Sequence, residues 1–193
     1  AWAGEIGDAV AESADAHRIA DVEVGCFLSG GVDSSLITCE MARRQPAVQC
    51  FSVGYAEKAY SELPAARAAA QALGVPLTET TVTAEDFFAA NRAIQWYLDE
   101  PMPNPAEVPL YFLCKAARQR VKVVLSGEGA DELFGGYPLY RQAVWAERWQ
   151  KMPRAVRRAL AALLPGCGLL RRGALPRWQR SARANYVFET TQE

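Results

Sequence analysis

The stretch FLSGGVDSS, residues 27–35, decides the fold that this sequence predicts. It joins an apolar, strand-like run at 22–28 to a helical pattern over about 34–44. The adjacent glycines Gly30 and Gly31 allow a tight turn that brings backbone N–H groups close to an anion. Because the following helix directs its positive N-terminal end to the same point, the loop is predicted to hold pyrophosphate.

Side chains in this loop extend the prediction to a metal-bound nucleotide. Ser29, Ser34 and Ser35 add hydroxyl donors, and a carboxylate at Asp33 fits best as a ligand of a divalent cation that accompanies the phosphates. The Gly-Lys-Ser/Thr ending of kinase and GTPase loops is missing, which excludes that class. SGGxDS is similar instead to the pyrophosphate loop of enzymes that cleave ATP between its α- and β-phosphates. The ordinary alternative is a Gly-Gly turn before a serine-capped helix.

A second glycine-rich loop, SGEGADELFGGY at 126–137, follows an apolar run at 121–125. In a parallel α/β sheet, ligands bind beyond the carboxyl ends of the strands, so two such loops face each other across one crevice. That arrangement would bring Asp33, Glu128 and Asp131 close to one nucleotide, where carboxylates bind the Mg²⁺ that neutralises charge on the leaving group. Taken alone, the loop could be a surface turn or a calcium loop, although it lacks the ligand spacing of an EF-hand.

Strand-like and helical patterns alternate along the chain. The predicted strands cover 22–28, 48–53, 76–82 and 121–125, and the predicted helices cover 6–18, 34–44, 62–73, 83–96 and 109–120. Strands separated by helices of about 10 to 15 residues indicate parallel βαβ units. The sequence therefore predicts an α/β fold, a doubly wound and mostly parallel sheet with helices on both faces. The proline-rich segment at 101–105 predicts an extended loop.

Together the two loops resemble the synthetase domain of glutamine-dependent asparagine synthetases. The resemblance covers about residues 5–140, and its shorter stretches are FSVGY at 51–55, YSE at 60–62, LDEP at 98–101 and VPLY at 108–111. VLSGEGADELFGGY is more specific than SGGxDS, which GMP synthetases, NAD synthetases and tRNA-thiolating enzymes also contain. The resemblance implies an ATP pyrophosphatase domain of the adenine-nucleotide α-hydrolase type over 1–140. Residues 141–193 would be its helical C-terminal extension, which is expected to continue further.

The resemblance also implies an AMP-forming carbon–nitrogen ligase. ATP would activate the side-chain carboxylate of aspartate as β-aspartyl-AMP with release of pyrophosphate, and ammonia would then displace AMP to give asparagine. The positions that match the pyrophosphate loop of the family are Ser29, Gly30, Gly31, Asp33 and Ser34. The other implied roles are adenine contacts at Leu28 and Val53, nucleotide contacts at Ser126 and Gly127, adenylate formation and amine steering by Glu128, and Mg²⁺ binding by Asp33 and Asp131.

Departures from the family pattern leave alternatives open. The glutaminase domain of the family is absent from these residues, so it is expected upstream or on another chain, and otherwise free ammonia would be used. A lysine that assists adenylation in the family has no counterpart that can be assigned, so activity of this fragment alone is open, as is homodimer formation. The alternatives are another amide-forming synthetase, of the β-lactam synthetase or lasso-peptide cyclase type, and a non-catalytic nucleotide-binding module. The intact Asp33, Glu128 and Asp131 argue against the last.

Composition excludes several function classes. A net charge of −1 argues against bulk electrostatic binding to nucleic acid or membrane, and no apolar run approaches the roughly 20 residues of a membrane span. Five scattered cysteines without a CxxC pair, and no signal-peptide pattern, predict a cytoplasmic protein. The one histidine, His17, excludes a Ser-His-Asp triad within these residues and is predicted to lie on the surface.

The segment 141–183 differs in charge, with 11 Lys or Arg and one acid, Glu147. An RNA-binding patch is one interpretation. We expect instead a helical appendage whose basic face is solvated or packs on the acidic nucleotide domain, and therefore no tight RNA binding at physiological salt.

Overall fold

The computed structural model describes residues 2–100, 104–137, 140, 143–144, 147–148, 151–153 and 156. The chain divides into two compact units, Ala1–Phe134 and Gly135–Glu193. All elements given below belong to the first unit. The domain boundary predicted at residue 140 stays a prediction, and the basic segment 141–183 lies mostly outside the described residues.

The sheet of the first unit has four parallel strands in the order β3-β2-β1-β4. They are β1 Val24–Phe27, β2 Cys50–Tyr55, β3 Leu77–Val82 and β4 Val123–Leu125. The chain adds β2 and β3 on one side of β1 and then returns to place β4 on the other side, so Cys26 is paired with both Cys50 and Leu125. The predicted doubly wound parallel sheet is confirmed. The carboxyl ends of β1 and β4 flank its topological switch point, where ligands bind in such folds.

The helices are α1 Trp2–His17, α2 Val32–Arg44, α3 Leu63–Leu73, α4 Ala84–Leu98, α5 Glu107–Ala117 and α6 Ala130–Phe134, with a 3-10 turn at Lys58–Tyr60. The five predicted helices are confirmed with shifts of a few residues at their ends. Helix α6, which was not predicted, lies inside the second glycine-rich loop. Within the described residues, no helix is both long and apolar enough to cross a membrane.

Local signals explain where several of these helices begin and end. Thr83 and Asp86 form a capping box at the start of α4, in which each side chain accepts a hydrogen bond from the other residue's N–H at 3.1 Å. Gly74 ends α3 in the left-handed conformation, with φ at 68°. The predicted start of α5 at Pro109 is wrong, because the helix begins at Glu107. A proline is tolerated within the first turn, where its missing N–H would have no helical partner.

The core lies on both faces of the sheet. On one face Cys26, Leu28 and Cys50 pack against residues of α2 and α3, and on the other face Phe51 packs against Leu113 of α5. Neighbouring residues of a strand point to opposite faces, which is why Cys50 and Phe51 belong to different clusters. Burial raises the pKa of the Cys26 thiol to about 11 and that of Cys50 to about 12. These thiols are core residues rather than nucleophiles.

An ion-pair network joins α1 to α2 on the outside of this core. Arg44 bonds the carboxylate of Asp15 and also Glu40 Oε2 at 2.9 Å. The side chain of Glu40 is buried, so its charge depends on the arginines beside it. The network fixes the C-terminal end of α2, and thereby helps to orient the helix whose other end forms the glycine-rich loop.

Replacing Arg44 by methionine is expected to destabilise the protein at neutral pH. At acidic pH the difference in stability between the variant and the unmodified protein should be smaller. The hydrogen bond from Arg44 holds the pKa of Asp15 below its usual 3.8. This pair therefore contributes stability above pH 3.8 that is lost as the pH falls through the lowered pKa. Urea midpoints across that range would measure the effect, with Arg92→Met at an exposed position of α4 as the control. A pH-independent difference between the Arg44 variant and the unmodified protein would contradict the prediction.

Candidate functional site

The first glycine-rich loop is held by its own two serines. The N–H of Ser29 donates to Ser34 Oγ at 3.3 Å, and the two hydroxyl oxygens lie 2.9 Å apart. The N–H of Gly31 donates to Ser29 Oγ at 3.2 Å, while Ser34 Oγ donates to the carbonyl of Gly31 at 3.3 Å. Ser34 is buried. These two hydroxyls, predicted as phosphate donors, therefore also shape the loop.

The glycines of this loop serve different purposes. Gly30 has φ at +84°, and a Cβ there would lie 2.4 Å from the carbonyl carbon of Ala65 in α3. Gly31 has φ at −70°, which any residue adopts, and it is the N-cap of α2. The tight turn therefore requires glycine at Gly30, where backbone also meets the neighbouring helix.

The N-terminus of α2 is open toward the loop. No side chain caps it, in contrast to the capping box on α4. Gly31, Val32 and Asp33 are exposed. The first N–H groups of a helix have no partner within the helix, so this end can bind an anion. The sequence predicted this geometry from the strand–loop–helix order.

The second loop lies directly against the first. A Cβ on Gly127 would be 2.7 Å from the backbone nitrogen of Ser34 and 2.9 Å from the carbonyl carbon of Asp33. The two motifs, more than ninety residues apart in the sequence, thus meet in backbone-to-backbone contact. Ser126 Oγ accepts a hydrogen bond from the N–H of Glu128 at 3.4 Å, which orders the turn that presents Glu128.

A cavity of about 580 Å³ opens beside this contact, and Asp33, Ser126, Gly127 and Glu128 line it together with apolar side chains of α1, α2 and α6. Four of the predicted site residues are thereby brought to one cavity. His17, predicted to lie on the surface, is exposed and contributes to the same lining.

The remaining predicted residues lie elsewhere. Leu28 is buried at the end of β1, where its N–H bonds the carbonyl of Phe51 at 2.9 Å, and Val53 lies in β2. Asp131 is in the first turn of α6 and is not among the residues that line the cavity. Across the part of the chain that the structure describes, no three His, Cys, Asp or Glu side chains are grouped to hold a metal ion.

Helix α1 is the part of the site that sequence reasoning missed. Ile6, Ala9, Val10 and Ser13 all line the cavity. Their spacing of three and four residues is that of one helical face, so the periodicity contained the signal. The periodicity could not show which part of the fold this face of α1 would contact.

A model of the asparagine synthase family matches residues 5–192. The chain belongs to the asparagine synthase family. It is 38% identical to asparagine synthetase [glutamine-hydrolyzing] 1 of Bacillus subtilis (strain 168), over 96% of this chain and 30% of that protein. It is 30% identical to asparagine synthetase B [glutamine-hydrolyzing] of Escherichia coli (strain K12), over 95% of this chain and 35% of that protein.

This member of the family therefore spans 30–35% of the length of these curated relatives. Among solved structures it is similar to the NH3-dependent NAD synthetase from Campylobacter jejuni subsp. jejuni NCTC 11168, in complex with the nitrate ion. That match has a TM-score of 0.46 and 16% identity, over 69% of this chain and 60% of that one.

Proposed function

We propose that the protein containing this chain makes asparagine from aspartate and ammonia, with ATP cleaved to AMP and pyrophosphate. The contact of Gly127 with the first turn of α2 supports this proposal most directly, because it places Asp33 and Glu128 on one cavity at the switch point of the sheet. The family supplies the reaction class, since relatives are named as glutamine-hydrolysing asparagine synthetases.

The open N-terminus of α2 would bind the pyrophosphate end of ATP. Its free N–H groups and helix dipole favour negative charge, and the Gly30 turn lets the backbone of the loop approach the phosphates. Leu28, just beyond β1, and Val53, in the neighbouring strand β2, would contact the adenine, and Ser126 and Gly127 would contact the rest of the nucleotide. Apart from Val53, which lies inside β2, these residues follow β1 or β4 at the same edge of the sheet.

Magnesium would reach this site with the nucleotide. An Mg²⁺ ion on a polyphosphate keeps phosphate and water ligands and needs only one or two protein carboxylates. Asp33 and Asp131, on separate elements, fit that need better than they fit a metal site built from protein alone. When bound, the ion would neutralise charge on the departing pyrophosphate.

Glu128 is proposed to act on the aspartyl group rather than on the phosphates. It is exposed beyond the carboxyl end of β4, and it lines the cavity together with residues of α2. A carboxylate is a poor electrophile, so adenylation must first give it a leaving group, and alignment then decides the rate. Glu128 would orient the adenylate and guide the amine toward its carbonyl carbon.

We further propose that the ammonia comes from a glutaminase domain in the rest of the protein or on another chain. The relatives are named as glutamine-hydrolysing enzymes, and those proteins are about three times as long as this chain. A cytoplasmic location is proposed as well. Cys26, Cys39, Cys50 and Cys114 are free, which suits a reducing compartment.

Exchange of labelled pyrophosphate into ATP tests the proposal on the full-length protein. The adenylation half-reaction is reversible, so aspartate should support exchange in the absence of ammonia. Glutamate and succinate serve as controls for carboxylate choice. Exchange that is independent of aspartate, or that prefers another carboxylate, would contradict asparagine synthesis and favour a different amide-forming synthetase.

A further inference from the structure

Glu107, the first residue of α5, carries a carboxylate for which the mechanism above has no use. Both of its oxygens are buried, and neither has a hydrogen-bond partner among the residues that the structure describes. The side chain does not fold back to cap its own helix, since neither oxygen accepts a hydrogen bond from a backbone N–H of the described residues. The adjacent Asn104 uses its side chain on the N–H of Ala106, at 3.1 Å.

An unpaired carboxylate out of contact with water is one of the most unfavourable groups that a fold can contain. Buried polar groups nearly always have partners, so an exception points to a missing ion or ligand. The dipole at the start of α5 favours a negative charge, but it supplies no hydrogen bond to these oxygens. The partner that Glu107 lacks is therefore a cation with N–H or O–H donors.

Helix α5 places Glu107 toward the ligand-binding edge of the sheet. Val121, just beyond the helix, lies against Gly25 at the start of β1, which marks the amino edge. Leu113 and Ala117 pack on Phe51 between the two edges. The helix thus runs antiparallel to the strands, and its first turn lies toward the carboxyl ends of β2 and β3, which α5 covers.

We infer that Glu107 binds the α-ammonium group of the amino-acid substrate and thereby selects aspartate over carboxylates without an amine. The inference rests on the proposed function. Among the proposed substrates, the cationic groups are the metal that accompanies ATP, the α-ammonium group of aspartate, and the protonated form of ammonia. Asp33 and Asp131 already supply carboxylates for the first. An ammonium group would supply the Glu107 carboxylate with both a positive charge and N–H donors.

The decisive variant is Glu107→Gln in the full-length protein, assayed by pyrophosphate exchange. Losing one charge-assisted hydrogen bond should raise the KM for aspartate about tenfold to hundredfold and leave the KM for ATP unchanged. The ratio of kcat/KM for aspartate to that for succinate should fall by the same factor. Glu85→Gln is the matched control, because Glu85 is also a first-turn glutamate but is exposed on α4.

Thermal unfolding without substrates gives a second readout. Removing an unpaired buried charge should leave the melting temperature unchanged or raise it by a few degrees. A lower melting temperature with an unchanged KM for aspartate would instead assign Glu107 to a structural pair with a basic side chain elsewhere, and would overturn the inference.

Two further outcomes separate the inference from the proposed function. An effect confined to the KM for ammonia in complete synthesis would overturn the assignment to the amino acid. If the unmodified protein shows no aspartate-dependent exchange, the proposed function fails and the inference fails with it. If the unmodified protein is active and Glu107→Gln leaves the KM for aspartate unchanged, the inference alone is refuted.

Discussion

Replacing Glu128 by glutamine in the full-length protein is expected to lower aspartate-dependent pyrophosphate exchange about a hundredfold or more, with ATP affinity nearly unchanged. Asp33→Asn should instead weaken the binding of Mg·ATP by about tenfold, through the loss of one charged cation ligand. Both carboxylates are exposed on one cavity, yet they belong to different elements. Asp33 lies in the first turn of α2, beside the N–H groups that would hold phosphate, and Glu128 follows β4 on the facing loop.

The two measurements that separate these roles are ATP titration by calorimetry and exchange at saturating ATP. Glu12→Gln, at an exposed position of α1 outside the cavity lining, controls for the loss of one negative charge. If both site variants lose ATP affinity equally, the proposed division between metal binding and adenylate chemistry is wrong. If Glu128→Gln leaves exchange intact, the adenylate role passes to another residue.

The sheet could be predicted because its signals are local. Strands β1, β2 and β4 lie in short, mainly apolar runs, while β3 alternates only weakly in polarity. The helices carry their own periodicity or caps, as the Thr83–Asp86 box shows. The prediction that the two glycine-rich loops share one crevice came from the rule that ligands of a parallel sheet bind beyond the carboxyl ends of its strands. In the structure β1 and β4, the strands that precede these loops, are adjacent.

What the sequence could not show depends on contacts between distant segments. Helix α6 is five residues long, too short for a periodic pattern, and it lies in a stretch that reads as a glycine-rich loop. The Ser29 and Ser34 hydroxyls come together only because the chain turns at Gly30, which has a positive φ. The sequence predicted that the two loops face each other, but not that the backbone of Gly127 contacts the first turn of α2.

The site was predicted in part for the same reason. Asp33 and Glu128 meet on one cavity because each follows directly from a neighbouring strand. Asp131 lies one helical turn further along, and the orientation of α6 decides whether it can reach a shared cation, so its metal role stays a prediction. The carboxylate of Glu107 had no sequence signal, since a glutamate in the first turn of a helix is ordinary.

Gly127→Ala is expected to have the other large effect, on stability and on ATP binding together. The added methyl carbon would lie 2.7 Å from the nitrogen of Ser34 and 2.9 Å from the carbonyl carbon of Asp33. Both are backbone atoms at the start of α2, so no side-chain rotation can relieve the overlap. Overpacking of this kind typically costs about 1–3 kcal/mol. We expect a lower urea midpoint and an ATP affinity reduced at least about tenfold, because the displaced turn carries the proposed phosphate donors.

Gly7→Ala provides the matched control, since no atom lies within 4 Å of a Cβ added at this position inside α1. Alanine is the better helix former there, by about 0.5–1 kcal/mol, so this variant should be unchanged or more stable and should bind ATP normally. A Gly127 variant that behaves like the Gly7 variant would mean that the loops can separate without cost. The contact would then be incidental to nucleotide binding. If stability falls while ATP affinity holds, the contact serves the fold alone, and the phosphate site depends on the Gly30 turn without support from the second loop.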